Sequence, residues 1–289
     1  MSKIILGTVQ FGLDYGVNNH KGKPSSNEIK EILDFAFESK IKILDTAEAY
    51  GNSQERIGEY LKKSNNKFKI ITKYSKLRND LPSNIIDRVK NNLEILNVDN
   101  LYCYMFHNFN DYISFFNLFQ EDLLHLKKNG LIDKIGVSLH SNEEISEVLK
   151  NGNIDLIQLP FNLLDNSSQR KEILIKAKTK GIEVHTRSVF LQGLFFKAPK
   201  DFPSKLQLLI PYIKTLKGIA NTSKIDIKTL ALKYVINKDY IKQIVIGIDN
   251  LTQLEKNLKI FNQEVDILNE KIDSINVKEE LLLNPSYWN

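Results

Sequence analysis

Three residues of this chain, Asp45, Lys73 and His107, directly follow the short apolar runs 41–44, 68–72 and 101–106. A fourth, Tyr50, lies in the loop after Asp45 within Ile43-Leu44-Asp45-Thr46-Ala47-Glu48-Ala49-Tyr50-Gly51. If the three runs are successive strands of one parallel sheet, a carboxylate, an ammonium and an imidazole meet at one edge, with a phenol in reach. Each residue has an ordinary reading when taken alone. An Asp before a turn usually caps it, a Lys after a strand is usually solvated, a Tyr before Gly is usually a turn aromatic, and a His can be a satisfied core residue. Their coincidence at three successive strand ends points to a site for moving protons.

The elements that would position them are legible as a pattern. Eight apolar runs, 4–9, 41–44, 68–72, 101–106, 135–139, 154–159, 182–184 and 244–246, are rich in Ile, Val and Leu. They lack the polar alternation of a half-exposed strand, as expected of parallel strands buried on both faces. Amphipathic segments lie between them. Ser25-Ser26-Asn27-Glu28, Pro82-Ser83, Ser141-Asn142-Glu143-Glu144 and Ser167-Ser168 mark helix starts, and Gly181 marks a helix end. Strands separated by helices imply βαβ units. Eight such units favour a closed (β/α)8 TIM barrel, an α/β fold, over an open sheet, and the first run carries no Gly-x-Gly-x-x-Gly. No linker divides the chain, so residues 1–289 are read as one barrel domain. The stretch 191–224 is the one long interruption, expected to form a loop and an extra helix over one face. A final helix from about Val265 is expected before the 285–288 close.

Composition narrows the function. The chain has 289 residues, 42% hydrophobic and 26% charged, with a net charge of +5 spread over amphipathic segments. No basic run suits nucleic acid, and no stretch approaches the ~20 apolar residues of a spanning helix. The apolar run in Met1-Ser2-Lys3-Ile4-Ile5-Leu6 is too short for a signal peptide, so a cytoplasmic location is expected. A single cysteine, Cys103, excludes an intrachain disulfide and reads as strand packing. No His, Asp and Glu set has metal-ligand spacing, so no metal is expected. His20, His125, His140 and His185 are read as ordinary residues, with His125 on an outer helix face and His140 after a strand end, from which it could touch the site.

Asp45-Thr46-Ala47 followed by Tyr50-Gly51-Asn52-Ser53-Gln54-Glu55 and Gly58 resembles the signature of the aldo-keto reductases, (β/α)8 barrels that reduce carbonyls with a nicotinamide cofactor. The resemblance runs from Gly7-Thr8 to Asn257. It maps the family's four catalytic positions onto Asp45, Tyr50, Lys73 and His107, with every residue type retained. The chemistry agrees. Hydride delivery leaves an alkoxide that needs a proton. A phenol is a poor acid at neutral pH unless a cation such as Lys73 favours its anion. Asp45 would hold Lys73 charged, and His107 would orient the carbonyl oxygen.

The resemblance also implies cofactor contacts, to NADP(H) or NAD(H). Gly7 and Thr8 stand at the end of the first strand. Ser138 and Gln158 take the nicotinamide amide, with Asn162 in support. Arg187 occupies a position that is aromatic in many members and stacks on the nicotinamide ring; its planar guanidinium can also stack. The segment Ser188, Phe190, Gln192 and Gly193 tracks the pyrophosphate, and Gly247, Asp249, Gln253 and Asn257 match the adenosine end. Many NADP-dependent members place cations around the 2′-phosphate, whereas here Asp249 and Gln253 stand there with Lys256 as the nearby cation. A weak or reversed preference for NADPH is therefore expected. Leu6-Gly7-Thr8-Val9-Gln10-Phe11-Gly12 and Arg187-Ser188-Val189-Phe190 resemble bacterial members found with polysaccharide biosynthesis genes, which suggests a sugar or nucleotide-sugar carbonyl as substrate. The alternative is a cofactor-sensing binding protein on the same barrel with little turnover.

Overall fold

A computed structural model of the chain describes residues 2–16, 19, 21–77, 81 and 83–288. His20 and Pro82, singled out in the sequence, lie outside the described residues. The eight runs form eight parallel strands, closed in chain order into a barrel: β1 (Ile4–Gly7), β2 (Ile43–Asp45), β3 (Lys69–Tyr74), β4 (Cys103–Phe106), β5 (Ile135–Ser138), β6 (Leu156–Pro160), β7 (Glu183–Arg187) and β8 (Gln243–Gly247). The fold is a single (β/α)8 barrel.

Apolar runs and strands differ at their ends. The run 4–9 stops as a strand at Gly7, and Val9 already belongs to the one-turn helix Val9–Gly12. Leu101 makes an isolated bridge to Ile132 ahead of β4. Apolar character records burial, which continues past the last ladder hydrogen bond.

Helix starts follow the capping signals. Ser25 and Glu28 form a capping box on the helix Ser26–Glu38, and Ser141 and Glu144 form another on Asn142–Val148. Asn84 caps Ile85–Leu96, and Asn166, one residue before the Ser pair, caps Ser167–Thr179. Gly181 has φ +79°, the left-handed residue expected after that helix. The interruption after β7 folds into three 3-10 segments, Leu191–Phe196, Pro199–Asp201 and Ser204–Leu209, and the helix Ile210–Thr222. The C-terminal expectation is corrected. In place of a final helix from Val265 there is only Asn269–Asp273, followed by the 3-10 turns Glu280–Leu283 and Pro285–Tyr287. The segment is held by tertiary contacts instead: Asn269 accepts from Lys238 and Asp273 from the Tyr234 hydroxyl.

Two cores result. A large one fills the layer between strands and helices. A small one inside the barrel consists of Ile5, Ile43, Ile71, Cys103, Met105 and Leu156, flanked by Tyr102 and Val245. The two-residue strand period then sets the next inward layer. Two residues past Ile43 is Asp45, past Ile71 is Lys73, and past Leu156 is Gln158. The register keeps this layer level: Gly7 pairs with Asp45 and with Gly247, and Ser138 with Gln158.

Candidate active site

The layer above the inner core is polar and tightly joined. The Lys73 ammonium donates to Asp45 Oδ1 at 2.5 Å and to the Thr46 carbonyl at 2.9 Å, and both charged side chains are almost wholly buried. Gln158 Nε2 donates to the other Asp45 oxygen at 2.7 Å. Tyr50 places its ring 5.0 Å from the Lys73 ammonium, and the His107 ring meets it edge-on at 5.5 Å. The four residues read as a proton-handling set therefore stand together at the C-terminal mouth, where barrel loops carry function. Burial pulls the Lys73 ammonium down, but the Asp45 carboxylate and the Tyr50 hydroxyl overcome it, and its pKa is raised. Lys73 thus keeps its charge in a dry setting.

The loop carrying Tyr50 is held from two sides. A Cβ added at Gly12 would lie 1.8 Å from the Tyr50 carbonyl oxygen, and one at Gly51, where φ is +54°, would lie 2.3 Å from the Gly12 carbonyl oxygen. Only glycines let these two backbones touch. Beneath the loop, Glu48 is fully buried. It accepts from Arg88 at 2.6 Å, from the Tyr104 hydroxyl at 2.7 Å, and from Asn92 and the Ser75 amide at 2.9 Å. Sequence reasoning missed Glu48. The available signal was Arg88 and Asn92, one turn apart on a helix where both are buried.

Thr8 is also buried, and its hydroxyl and amide both donate to the Asp45 carbonyl, at 2.9 and 3.0 Å. Its own carbonyl accepts from Ser53 Oγ at 2.9 Å. Thr8 thereby joins the ends of β1 and β2, and its donors are engaged inside the protein.

His107 is held neutral. Burial first, then the positive charges of Lys73 and Arg187 and the neighbouring His140, lower its pKa to about 3. A neutral imidazole retains one N–H donor, so His107 can hydrogen-bond a carbonyl oxygen throughout the working pH range. We expect kcat/KM to show no histidine ionisation near the ordinary value of about 6.5. An acid limb near that value that vanished in His107→Gln would contradict this. Stability responds in the opposite sense. Below about 6.5 the unfolded chain binds protons that folded His107 and His140, both held near 3, do not take up. Stability therefore falls as the pH drops through that window.

His140 follows β5 and bonds to the end of β7. It accepts from Arg187 NH2 through Nε2 at 2.9 Å, and burial with the charges of Arg187 and Arg170 lowers its pKa to about 3. Tyr15, also unforeseen, accepts from Gln192 Nε2 at 2.7 Å, a link across the mouth between the loops after β1 and β7. His125 is exposed and bonded to Asn129, on the outer face as expected. Cys103 packs in the inner core, and burial raises its thiol pKa well above the usual range. Among the described residues no group of three or more His, Cys, Asp or Glu is arranged to hold a metal, and no helix is long and apolar enough to cross a membrane.

The rest of the mouth suits a nucleotide with a diphosphate bridge. Ser188, Leu191, Gln192 and Gly193 all have positive φ, a strained run of the kind that concentrates at ligand clamps. Asn257 Oδ1 and Gln10 Oε1 are buried acceptors without a hydrogen-bond partner in the structure. A Cβ added at Gly247 would lie 2.9 Å from Gln10 Nε2. Such orphaned acceptors are costly unless a ligand donor completes them. Gln158 already donates to Asp45, so its carbonyl oxygen is what it offers a ligand. Asn162 orders the turn beside it by accepting from the Leu164 and Asp165 amides. Ser138 is buried at the end of β5, and Phe190 packs its ring 5.5 Å from Phe196.

At the adenosine end, Asp249 and Gln253 hold one another. The Gln253 amide donates to Asp249 Oδ2, and its oxygen accepts from the Asp249 amide, both at 3.0 Å. Lys256 does not stand alone as a cation in this corner. Burial and the nearby Lys256 charge lower the pKa of Lys228, on the adjoining helix Ile227–Ile236.

A closed parallel barrel with a buried ammonium and carboxylate beside a half-buried phenol and imidazole at its mouth defines the class: a (β/α)8-barrel oxidoreductase dependent on NAD(P)H. The profile of the Aldo/keto reductase family matches residues 3–277, and the chain belongs to that family. Among curated proteins it is 26% identical to the NADH-specific methylglyoxal reductase of Escherichia coli (strain K12), over 91% of this chain and 94% of that one. It is 25% identical to the uncharacterized oxidoreductase YqkF of Bacillus subtilis (strain 168), over 91% and 92%. Among solved structures, the holo form of aldo-keto reductase AKR11C1 from Bacillus halodurans superposes with a TM-score of 0.75 at 21% identity, covering 96% of this chain and 95% of that one. The glycerol dehydrogenase AKR11B4 from Gluconobacter oxydans gives 0.73 at 21% identity, covering 95% and 91%. These two support the barrel.

Proposed function

We propose that this chain reduces a small aldehyde or ketone to its alcohol, reversibly, with Tyr50 as the proton donor. The observation that carries the reading is the joined set Asp45, Lys73, Tyr50 and His107, with the ammonium 2.5 Å from Asp45 and 5.0 Å from the Tyr50 ring. The bound reduced nicotinamide supplies the hydride. Tyr50 gives its proton to the carbonyl oxygen, and the Lys73 charge compensates the phenol oxygen as that proton leaves. Asp45 holds Lys73 in place, and the neutral His107 donates to the same carbonyl oxygen and aligns it.

Ser138 and Gln158 hold the carboxamide, with Arg187 against the ring. The backbone at Gly7 and the 188–193 loop take the ribose and pyrophosphate, with Thr8 fixing the strand end beneath them. Gly247, Asp249, Gln253 and Asn257 take the adenosine. The substrate reading is a sugar or nucleotide-sugar carbonyl handled in the cytoplasm. It is supported by the polar groups Tyr15, His140 and Arg187 at the barrel mouth.

The adenosine end carries a prediction of its own. Selective binding of a 2′-phosphate rests on charged hydrogen bonds worth about 1.5–3 kcal/mol each. Asp249 brings a carboxylate to this corner, and the NADH specificity named for the Escherichia coli relative agrees with use of NADH. We expect fluorescence titration to give dissociation constants for NADPH and NADH within about tenfold of one another. Asp249→Arg should shift the ratio toward NADPH. An NADPH constant about a hundredfold below that for NADH would contradict this, and Lys228 beside Lys256 would be the cations to replace next.

A further inference from the structure

Glu48 is a buried carboxylate that takes no part in the proton transfer itself. It lies between two members of the site, after Asp45 and before Tyr50, and it is fully buried. Its backbone and its side chain both reach the strand that carries Lys73. The Glu48 amide donates to the Lys73 carbonyl at 3.2 Å. The carboxylate accepts from the amide of Ser75, just past the end of β3, at 2.9 Å. One step back along the same edge, the Thr46 amide donates to the Ile71 carbonyl at 2.8 Å.

The turn that presents Tyr50 starts from this anchor. The Tyr50 amide donates to the Ala47 carbonyl at 3.0 Å, which closes a turn with Glu48 and Ala49 at its centre. The Tyr50 carbonyl accepts from the Ser53 amide at 3.0 Å. Ala49 alone separates the anchored residue from the phenol. The helix layer holds the same carboxylate from behind. Oε2 accepts from Arg88 Nε at 3.0 Å and NH2 at 2.6 Å. Oε1 accepts from Asn92 at 2.9 Å and from the Tyr104 hydroxyl at 2.7 Å. Arg88 NH2 also donates to the Ser75 carbonyl at 2.5 Å, so guanidinium and carboxylate grip the same residue. A buried ion pair is weak evidence for stability, because well-packed apolar side chains often serve as well. Donors converging from β4, from the helix Ile85–Leu96 and from the end of β3 give the carboxylate a fixed place instead.

We propose that Glu48 is a positioning residue that fastens the Tyr50 turn to the end of β3. It thereby sets the 5.0 Å between the Tyr50 ring and the Lys73 ammonium. This deepens the reductase reading and rests on it. Glu48 touches neither the reacting carbonyl nor the phenol oxygen in this role; it acts through the backbone it shares with Tyr50 and the carbonyl it binds on Lys73. The role depends on the reach of the side chain, whereas compensation of Arg88 depends on its charge.

Two variants separate reach from charge. Glu48→Asp keeps the charge opposite Arg88 but is shorter by one methylene, about 1.5 Å. Its carboxylate can keep its donors only by drawing the turn toward them. Glu48→Gln keeps the length and an oxygen for the Ser75 amide, but leaves Arg88 uncompensated. For each, kcat, KM and the solvent deuterium isotope effect on kcat are measured with a reactive aldehyde. Cofactor affinity is followed by fluorescence and stability by denaturant unfolding. Glu48→Asp should lose about 10- to 10²-fold in kcat, the scale of a misplacement of about 1 Å, with KM and cofactor affinity within about threefold of wild type. Its isotope effect should rise, because proton transfer then limits turnover. Glu48→Gln should keep more of kcat than Glu48→Asp while losing more stability. A merely structural role gives the opposite ranking, with the rate loss following the stability loss and largest in Glu48→Gln. That ranking, or a Glu48→Asp kcat within about twofold of wild type, would overturn the positioning role and leave the reductase reading standing. A wild type that reduces no aldehyde would overturn the reductase reading itself.

Discussion

Tyr50→Phe is expected to lower kcat on a reactive aldehyde by about 10²- to 10⁴-fold, the usual contribution of a positioned acid. The ring remains, with its edge-on contact to His107 at 5.5 Å and its place near the Lys73 ammonium. The close approach of Gly12 to the Tyr50 backbone is also unchanged. Fold and cofactor affinity should therefore stay close to wild type, so the loss falls on the chemical step. Steady-state kinetics beside a fluorescence titration of the cofactor separates the two. A variant that keeps more than about half of the wild-type turnover would remove Tyr50 from the proposed role.

Lys73→Met is expected to cost at least as much activity and stability besides. The side chain is similar in length, but the ammonium that donates to Asp45 and to the Thr46 carbonyl is gone. Asp45 then keeps Gln158 as its hydrogen-bond partner and lacks a compensating charge. Breaking a buried pair in this way costs about 3–5 kcal/mol, which thermal or denaturant unfolding would register. Because the Lys73 ammonium stands 5.0 Å from the Tyr50 ring, the pH–rate profile should also change. A profile superimposable on the wild type would show that the ammonium is not coupled to the proton donor. Lys73→Met/Asp45→Asn should recover much of the stability and none of the rate, since it removes the stranded charge without restoring the cation.

The barrel and the four central residues were legible in the sequence for a physical reason. Strand period, strand burial and the site all lie on the same short segments. Ile43 and Asp45, or Ile71 and Lys73, differ by one step of the inward face. What escaped depends on partners far away in the chain. Glu48 looked like a loop acid until Arg88 and Tyr104, 40 and 56 residues away, closed on it. His140 gains its part only from Arg187, 47 residues on, and Tyr15 only from Gln192, 177 residues on. Thr8 follows β1 directly, and its donors turn inward to the Asp45 carbonyl, a contact between two strand ends that the sequence does not show. The C-terminal helix was overdrawn because apolar spacing from Val265 onward says nothing about the distant partners of this segment, Lys238 on Asn269 and the Tyr234 hydroxyl on Asp273.

The most direct measurement is isotopic. Wild-type protein is given reduced cofactor carrying deuterium at the transferable position, together with a panel of small aldehydes and ketones. One deuterium is expected on the carbinol carbon of each alcohol formed, in step with cofactor oxidation, together with a rate collapse in Tyr50→Phe. Cofactor that binds tightly while no deuterium reaches any carbonyl carbon would contradict it, and would mark the barrel as a nicotinamide-binding protein without turnover.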